Sequence, residues 1–189
     1  MSGRGTHQIG GLVVGLAVAQ TAVWAGRASF GEAIALAGTA ALTAGGGLSC
    51  DVDQTKAWRS LDRWLPDEWL GAGGPLQHRG LTHWPGVTVG FAVMWWLTVV
   101  AAPGLERLWP FMAGQVAGWA SHLALDAVCG RQVRTPDGAV VVRAGIPLMP
   151  WWGHRGGLIR SGGFGSQAIG VLLAALAAVQ VVFMAGGVS

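Results

Sequence analysis

Tyrosine is absent from this chain, cysteine occurs twice, and only 11% of the 189 residues are charged. Soluble domains usually carry about a quarter charged residues, so the shortage of charge argues against an ordinary water-exposed domain. A hydrophobic share of 52% excludes a disordered chain, and the 32 glycines show no period of three, which excludes a collagen-like one. No internal repeat is present, and no low-complexity run beyond Gly/Ala richness. Two cysteines, Cys50 and Cys129, cannot build a disulfide framework. Each lies beside an acidic residue, Asp51 or Asp126, and can be read as a thiolate ligand. A small buried hydrophobe in a reducing compartment is the simpler reading. The net charge of +3 is small and its basic residues lie between hydrophobic runs, so no nucleic acid partner is expected.

What the chain does have is long apolar runs. Five reach the length needed to cross a hydrocarbon core of about 30 Å, allowing for tilt. They run roughly Ile9–Ala25, Ala33–Leu48, Pro85–Ala102, Leu108–Val128 and Gln167–Ala185. The second is short and Gly-rich. The first also has the outline of a secretory signal, with Arg4 ahead of an apolar stretch ending in small residues, but it is long and shows no sharp cleavage site. The fold expected is therefore all-α: one domain over residues 1–189, a polytopic membrane bundle of about five transmembrane helices in the lipid bilayer. GLVVG at 11–15 and GQVAG at 114–118 are small-xxx-small patterns that permit close helix approach, a weak signal in so Gly-rich a chain.

With five spans, all but Arg27 and Arg107 of the 12 basic residues fall on one side. The positive-inside rule then places the amino terminus in the cytoplasm and the carboxyl terminus outside. Two long cytoplasmic loops follow, at about 54–77 and 130–164. In the first, Trp58, Leu61 and Leu65 share one helical stripe and Lys56, Arg59 and Arg63 another, which predicts an amphipathic helix lying on the inner leaflet.

Seven further polar residues gather at the same side. His7 precedes the first span, Asp51 and Asp53 follow the second, His78 and His83 precede the third, and His122 with Asp126 closes the fourth. At about 1.5 Å per residue from Arg107, His122 sits some 22 Å across the fourth span and Asp126 nearer 28 Å. The two are also i and i+4, so they share a helical face. Ionisable groups in an apolar span are costly and point to function. Four imidazoles and three carboxylates form a borderline ligand set that suits zinc or manganese. Asp51 and Asp53, one residue apart, can bridge two ions, or one can bind while the other serves as base. Arg79, beside His78, can neutralise a phosphate, fix a ligating carboxylate or simply follow the positive-inside rule. His154 has no acidic neighbour and reads as a bystander. Asp62, Asp67, Glu68 and Asp137 read as solvated loop charges, and Glu32 and Glu106 fall on the opposite side.

His7, CDVD at 50–53, HRGLTH at 78–83, SHLALD at 121–126, Gly130 and PWW at 150–152 stand in an order that resembles the YdjM-like family of predicted inner-membrane metal-dependent hydrolases. The resemblance runs from about residue 6 to residue 153. It implies a multi-span bacterial inner-membrane protein with a divalent metal site, and His7, Asp51, Asp53, His78, His83, His122 and Asp126 match the family's polar positions. The family's acidic motif usually reads Pro-Asp-x-Asp-His, where Cys50 and Gln54 flank the aspartates here. Its Thr-His-Ser is here Thr82-His83-Trp84, and the loss of the acidic motif's histidine, where Gln54 stands, leaves the number of metals open. The His122/Asp126 pair is also distantly similar to the zinc-dependent phospholipase C group, which implies phosphoesters.

The function expected is hydrolysis of a phosphoester or lipid-linked substrate at the cytoplasmic interface, with zinc or manganese as the metal. Asp51 or Asp53 would orient or deprotonate the attacking water and Arg79 would stabilise negative charge. The rival is a non-catalytic divalent-metal-binding membrane protein, a carrier or structural partner. A carrier needs polar groups along a path near the midplane, whereas these cluster at one face.

Overall fold

The computed structural model describes residues 4–45, 49–50, 60, 64–66, 69, 81–102, 104–134, 140–143, 159–160 and 164–186. Within them lie five α-helices: α1 (Arg4–Trp24), α2 (Phe30–Gly45), α3 (Pro85–Ala101), α4 (Trp109–Val128) and α5 (Phe164–Gly186). Their bounds sit within a few residues of the five apolar runs, because each run is bracketed by residues that start or stop helices. Pro85 and Pro110 occupy first-turn positions of α3 and α4, where the missing N–H costs nothing. Ser29 and Glu32 close the start of α2 as a reciprocal capping box. The Ser29 N–H donates to Glu32 Oε2 at 2.7 Å, and the Glu32 N–H donates to Ser29 Oγ at 3.3 Å.

Helices α1, α2 and α4 form the packed centre, with α5 against α1 and α3 against α4. The centre is tight because small residues face each other. A Cβ on Gly11 would lie 2.3 Å from the Ala40 carbonyl oxygen, and one on Gly118 would lie 2.0 Å from Thr43 Oγ1. Both positions therefore require glycine if α1 and α4 are to rest on α2 this closely. The small-xxx-small patterns noted in the sequence are thus helix interfaces. A core of Val13, Leu16, Ala19, Ala33, Leu36 and Ala177 fills the space around them.

Outward faces are apolar as well, as with Trp96, Val100, Leu172, Val182 and Phe183, which are all more than half exposed. Surface of this kind, continuous along several helices, fits a hydrocarbon environment and not water. Among the described residues only α5, over Phe164–Met184, is both long and apolar enough to cross a membrane by length and composition. Helices α2 and α3 are apolar but have 16 and 17 residues. Helices α1 and α4 have the length but carry His7 and Gln8, and Gln115, His122 and Asp126, respectively.

Segment 130–164, expected as a loop, contains short strands. β1 (Cys129–Arg134) follows α4 directly and pairs antiparallel with β2 (Val140–Arg143), Arg131 facing Arg143 across the register. β3 (Ile159–Arg160) pairs with β1 in parallel, giving the order β2-β1-β3. The β-branched run Val140–Val142 is the local cause, since such residues favour extended backbone. Of the surface helix expected in 54–77, Trp58 and Leu61 lie outside the described residues. Of the rest, Trp64 is exposed and Leu65 half-buried.

Candidate metal centre

The helices alternate in direction, so the start of α1, the end of α2, the turn before α3 and the end of α4 meet at one end of the bundle. His7 stands in the first turns of α1. His83 closes a 3-10 turn, Leu81–His83, just ahead of Pro85. His122 and Asp126 occupy successive turns near the end of α4, whose buried face also carries Trp119 and Leu123. These four polar side chains are nearly sealed from solvent: His83 and His122 are fully buried, Asp126 is 1% exposed and His7 4%.

Their geometry converges on one carboxylate. His7 Nε2 lies 3.5 Å from Asp126 Oδ1, while His83 Nε2 and His122 Nε2 lie 3.4 and 3.5 Å from Asp126 Oδ2. The His7 and His122 rings stack with centroids 4.0 Å apart, and His83 meets His122 edge-on at 5.3 Å. The ring of His122 is held from behind. Its Nδ1 lies 2.6 Å from the carbonyl oxygen of Ala44, and since a carbonyl only accepts, Nδ1 is the donor. Ala44 belongs to the last turn of α2, whose carbonyls lack intrahelical partners and carry the negative end of the helix dipole. One contact thus satisfies a helix end, fixes the tautomer and aims Nε2 inward. Thr82 Oγ1 sits 3.1 Å from His83 Nδ1, leaving the opposite nitrogen of that ring turned to Asp126.

Two physical arguments fit this donor set to a divalent cation. Distances of 3.4 to 3.5 Å exceed the usual N–H···O length of about 2.7–3.2 Å. They match the edge of a tetrahedron with bonds of about 2.0–2.1 Å, which is about 3.3–3.4 Å. The ligand atoms of His7, His122 and Asp126 all lie within 4.8 Å of one another, and His83 Nε2 stands at the same carboxylate. Charge points the same way. Three protonated imidazoles around one carboxylate would leave a buried excess of positive charge, which is costly. Neutral imidazoles with one carboxylate around a doubly charged ion leave a single net charge.

Four of the predicted site residues are therefore brought together: His7, His83, His122 and Asp126. Asp51, Asp53, His78 and Arg79 lie outside the described residues, as does His154. Cys50, next to Asp51, is buried against Trp119, about one turn before His122, and Leu123, the residue after it. The Ala44 carbonyl went unseen in the sequence, and Thr82 stood there only as a motif residue with no role given to its hydroxyl. The first is a backbone group, and the second is one of many threonines in apolar helices and turns.

No curated protein and no solved structure matches the chain. Residues 1–187 match the model of the YdjM inner membrane protein family. An inner-membrane class agrees with the apolar outer surface, and the chain belongs to that family.

Proposed function

We propose that the protein is a membrane-bound, metal-dependent hydrolase whose site opens to a phosphoester or lipid-linked substrate at the cytoplasmic face of the inner membrane. The observation that carries this reading is the convergence of His7, His83 and His122 on the buried carboxylate of Asp126. In this reading all five helices span the bilayer, the short ones with local thinning at the site, and the basic residues set the amino terminus inside. The metal is zinc, with manganese second, on the grounds of an imidazole-rich set with oxygen donors.

A divalent cation held by these residues would supply Lewis acidity and ease the loss of a water's proton near neutral pH. The chain's own contribution is orientation. His122 is locked by Ala44, and His83 is held beside Thr82. Asp51 or Asp53 would accept the proton of the attacking water, and Arg79 would neutralise charge on the substrate. Conversely, a carrier or structural metal protein would hold the ion without turnover. Metal analysis of purified protein, run beside a screen of phosphodiesters and phospholipids, tests both points. Stoichiometric metal with hydrolysis is expected. Metal without turnover of any phosphoester would favour the non-catalytic reading, and its absence would remove both.

A further inference from the structure

The strands after α4 are the most basic of the described elements. Four of their residues are arginines, Arg131, Arg134, Arg143 and Arg160, and none is acidic. Between Cys129 and Arg160 the sequence holds a single acid, Asp137, which cannot balance them. Register decides how the arginines are set. Arg131 stands directly opposite Arg143, and Gly130, the residue before Arg131, stands opposite Arg160. With the strand order β2-β1-β3, Arg143, Arg131 and Arg160 fall within one residue of a single row across the sheet. Two interstrand spacings make that row about 10 Å wide. Opposed residues of an antiparallel pair share a face of the sheet, with Cα atoms about 4.5–5.5 Å apart. Like charges so opposed are destabilising. Positive-inside bias alone asks only for basic residues near span ends, not for two of them in register. An anion between them would offset the opposition, and arginine suits phosphate because its planar fork donates two parallel hydrogen bonds.

The connections fix the depth of this row. β1 begins at Cys129, immediately after α4, and Arg160 lies four residues ahead of Phe164, where the apolar span of α5 starts. Chain length alone keeps Arg160 within about 14 Å of that start. The polar layer outside a hydrocarbon core of about 30 Å is about 5–8 Å deep on each side. The row therefore stands in the headgroup layer or a few ångströms beyond it.

We infer that the sheet after α4 is a docking surface for anionic phospholipid, one headgroup phosphate being taken by the opposed pair Arg131 and Arg143. Arg160, on the neighbouring strand, adds to the attraction. Charge and depth choose this occupant. A soluble phosphate would meet the same charges, but a lipid phosphate is already confined to this depth by the bilayer and so acts at high effective concentration. The inference needs only α5 as a span and rests neither on the metal centre nor on the hydrolase reading.

The test holds the full-length protein in neutral detergent micelles, titrates it with phosphatidylglycerol and counts bound lipid by native mass spectrometry. One lipid should bind ahead of the rest, and Arg131→Gln and Arg143→Gln should each weaken that binding about fivefold. Arg27→Gln with Arg107→Gln, which removes two charges from the other end of the bundle, should leave it unchanged. Removing opposed charges should not lower stability, so without lipid the double variant Arg131→Gln/Arg143→Gln should unfold at the parent's temperature or above. Phosphatidylglycerol should raise the unfolding temperature of the parent and not of that variant. Equal binding of zwitterionic phosphatidylcholine, or equal weakening by the far-end pair, would overturn the inference in favour of topology or an acidic partner protein. Equal protection by inorganic phosphate at the same concentration would overturn it in favour of a soluble anion. A double variant less stable than the parent without lipid would also sink it, because the opposed arginines would then not be in conflict.

Discussion

The two ends of the bundle are built from the same helices, yet they treat ionisable side chains in opposite ways. At one end His7, His83, His122 and Asp126 are buried and face one another. At the other, Arg27, Glu106 and Arg107 are exposed and Glu32 is half-buried, each carboxylate tied to its own neighbourhood. Glu32 caps α2 through Ser29 and accepts from Trp109. Glu106 accepts from its own backbone N–H and that of Gly104, which holds its carboxyl below the usual range. The far end terminates helices, and its charges are solvated. The near end places charge where water cannot help, and only a ligand or a fixed mutual arrangement makes that tolerable. Burial, more than residue type, separates the two.

The strongest way to break this contrast is to remove the carboxylate on which the near end converges. Asp126→Ala should abolish bound metal and any hydrolysis, and His122→Ala should lower metal per folded molecule severely. His154→Ala should do neither. Losing one member of a buried charged set costs about 3–5 kcal/mol, so each value must be normalised to folded protein. Full occupancy in the first two variants would mean that the cluster only satisfies its own polar groups.

A second test asks whether the two ends lie on opposite sides of a membrane. A reporter fused after Ser189 should read as extracytoplasmic and one inserted near Gly71 as cytoplasmic. Reporters that agree on one side would refute the five-span arrangement while leaving the geometry of the centre intact.

Helix positions were legible in the sequence because apolar runs end at Pro, Gly and charge, and those residues act locally. The four central polar residues were legible for a different reason: an ionisable residue in an apolar run is rare enough to stand out. Less visible was what holds them. The Ala44 carbonyl leaves no trace in the sequence, since any residue there offers one. GLVVG and GQVAG were faint against 32 glycines, yet Gly11 and Gly118 sit four residues from His7 and His122 and set the helix spacing around them. The strands after Cys129 were masked by the expectation of a loop between spans, although Val140–Val142 carried a β signal.

The role of those glycines gives a third, smaller effect. Gly118→Ala would drive a methyl into Thr43 Oγ1 and the Ala40 carbonyl, pushing α4 off α2 one turn before His122 meets Ala44. A loss of about 1–3 kcal/mol is expected, with weakened metal binding. Gly38→Ala, in the same bundle but with nothing within 4 Å of the added carbon, should instead stabilise by up to about 1 kcal/mol. Thermal unfolding of the two variants in detergent should therefore shift in opposite directions. Shifts of the same sign would show that helix spacing does not govern the near end.

The smallest effect belongs to the far end. Ser29 Oγ donates to Glu32 Oε2 at 2.7 Å and accepts from the Glu32 N–H, so Ser29→Ala removes the side-chain half of the cap on α2. Loss of such a cap costs about 0.5–2 kcal/mol. Because Glu32 also accepts from Trp109 Nε1, the start of α2 should stay docked to the start of α4. Ala44, four turns away at the other end of α2, should keep its hold on His122. Ser29→Ala should thus lower the unfolding temperature by a few degrees while metal per folded molecule and metal affinity remain those of the parent protein. A fall in affinity on this substitution would show that α2 passes strain from one end to the other. The near end would then depend on the far end, and burial alone would no longer account for the difference between them.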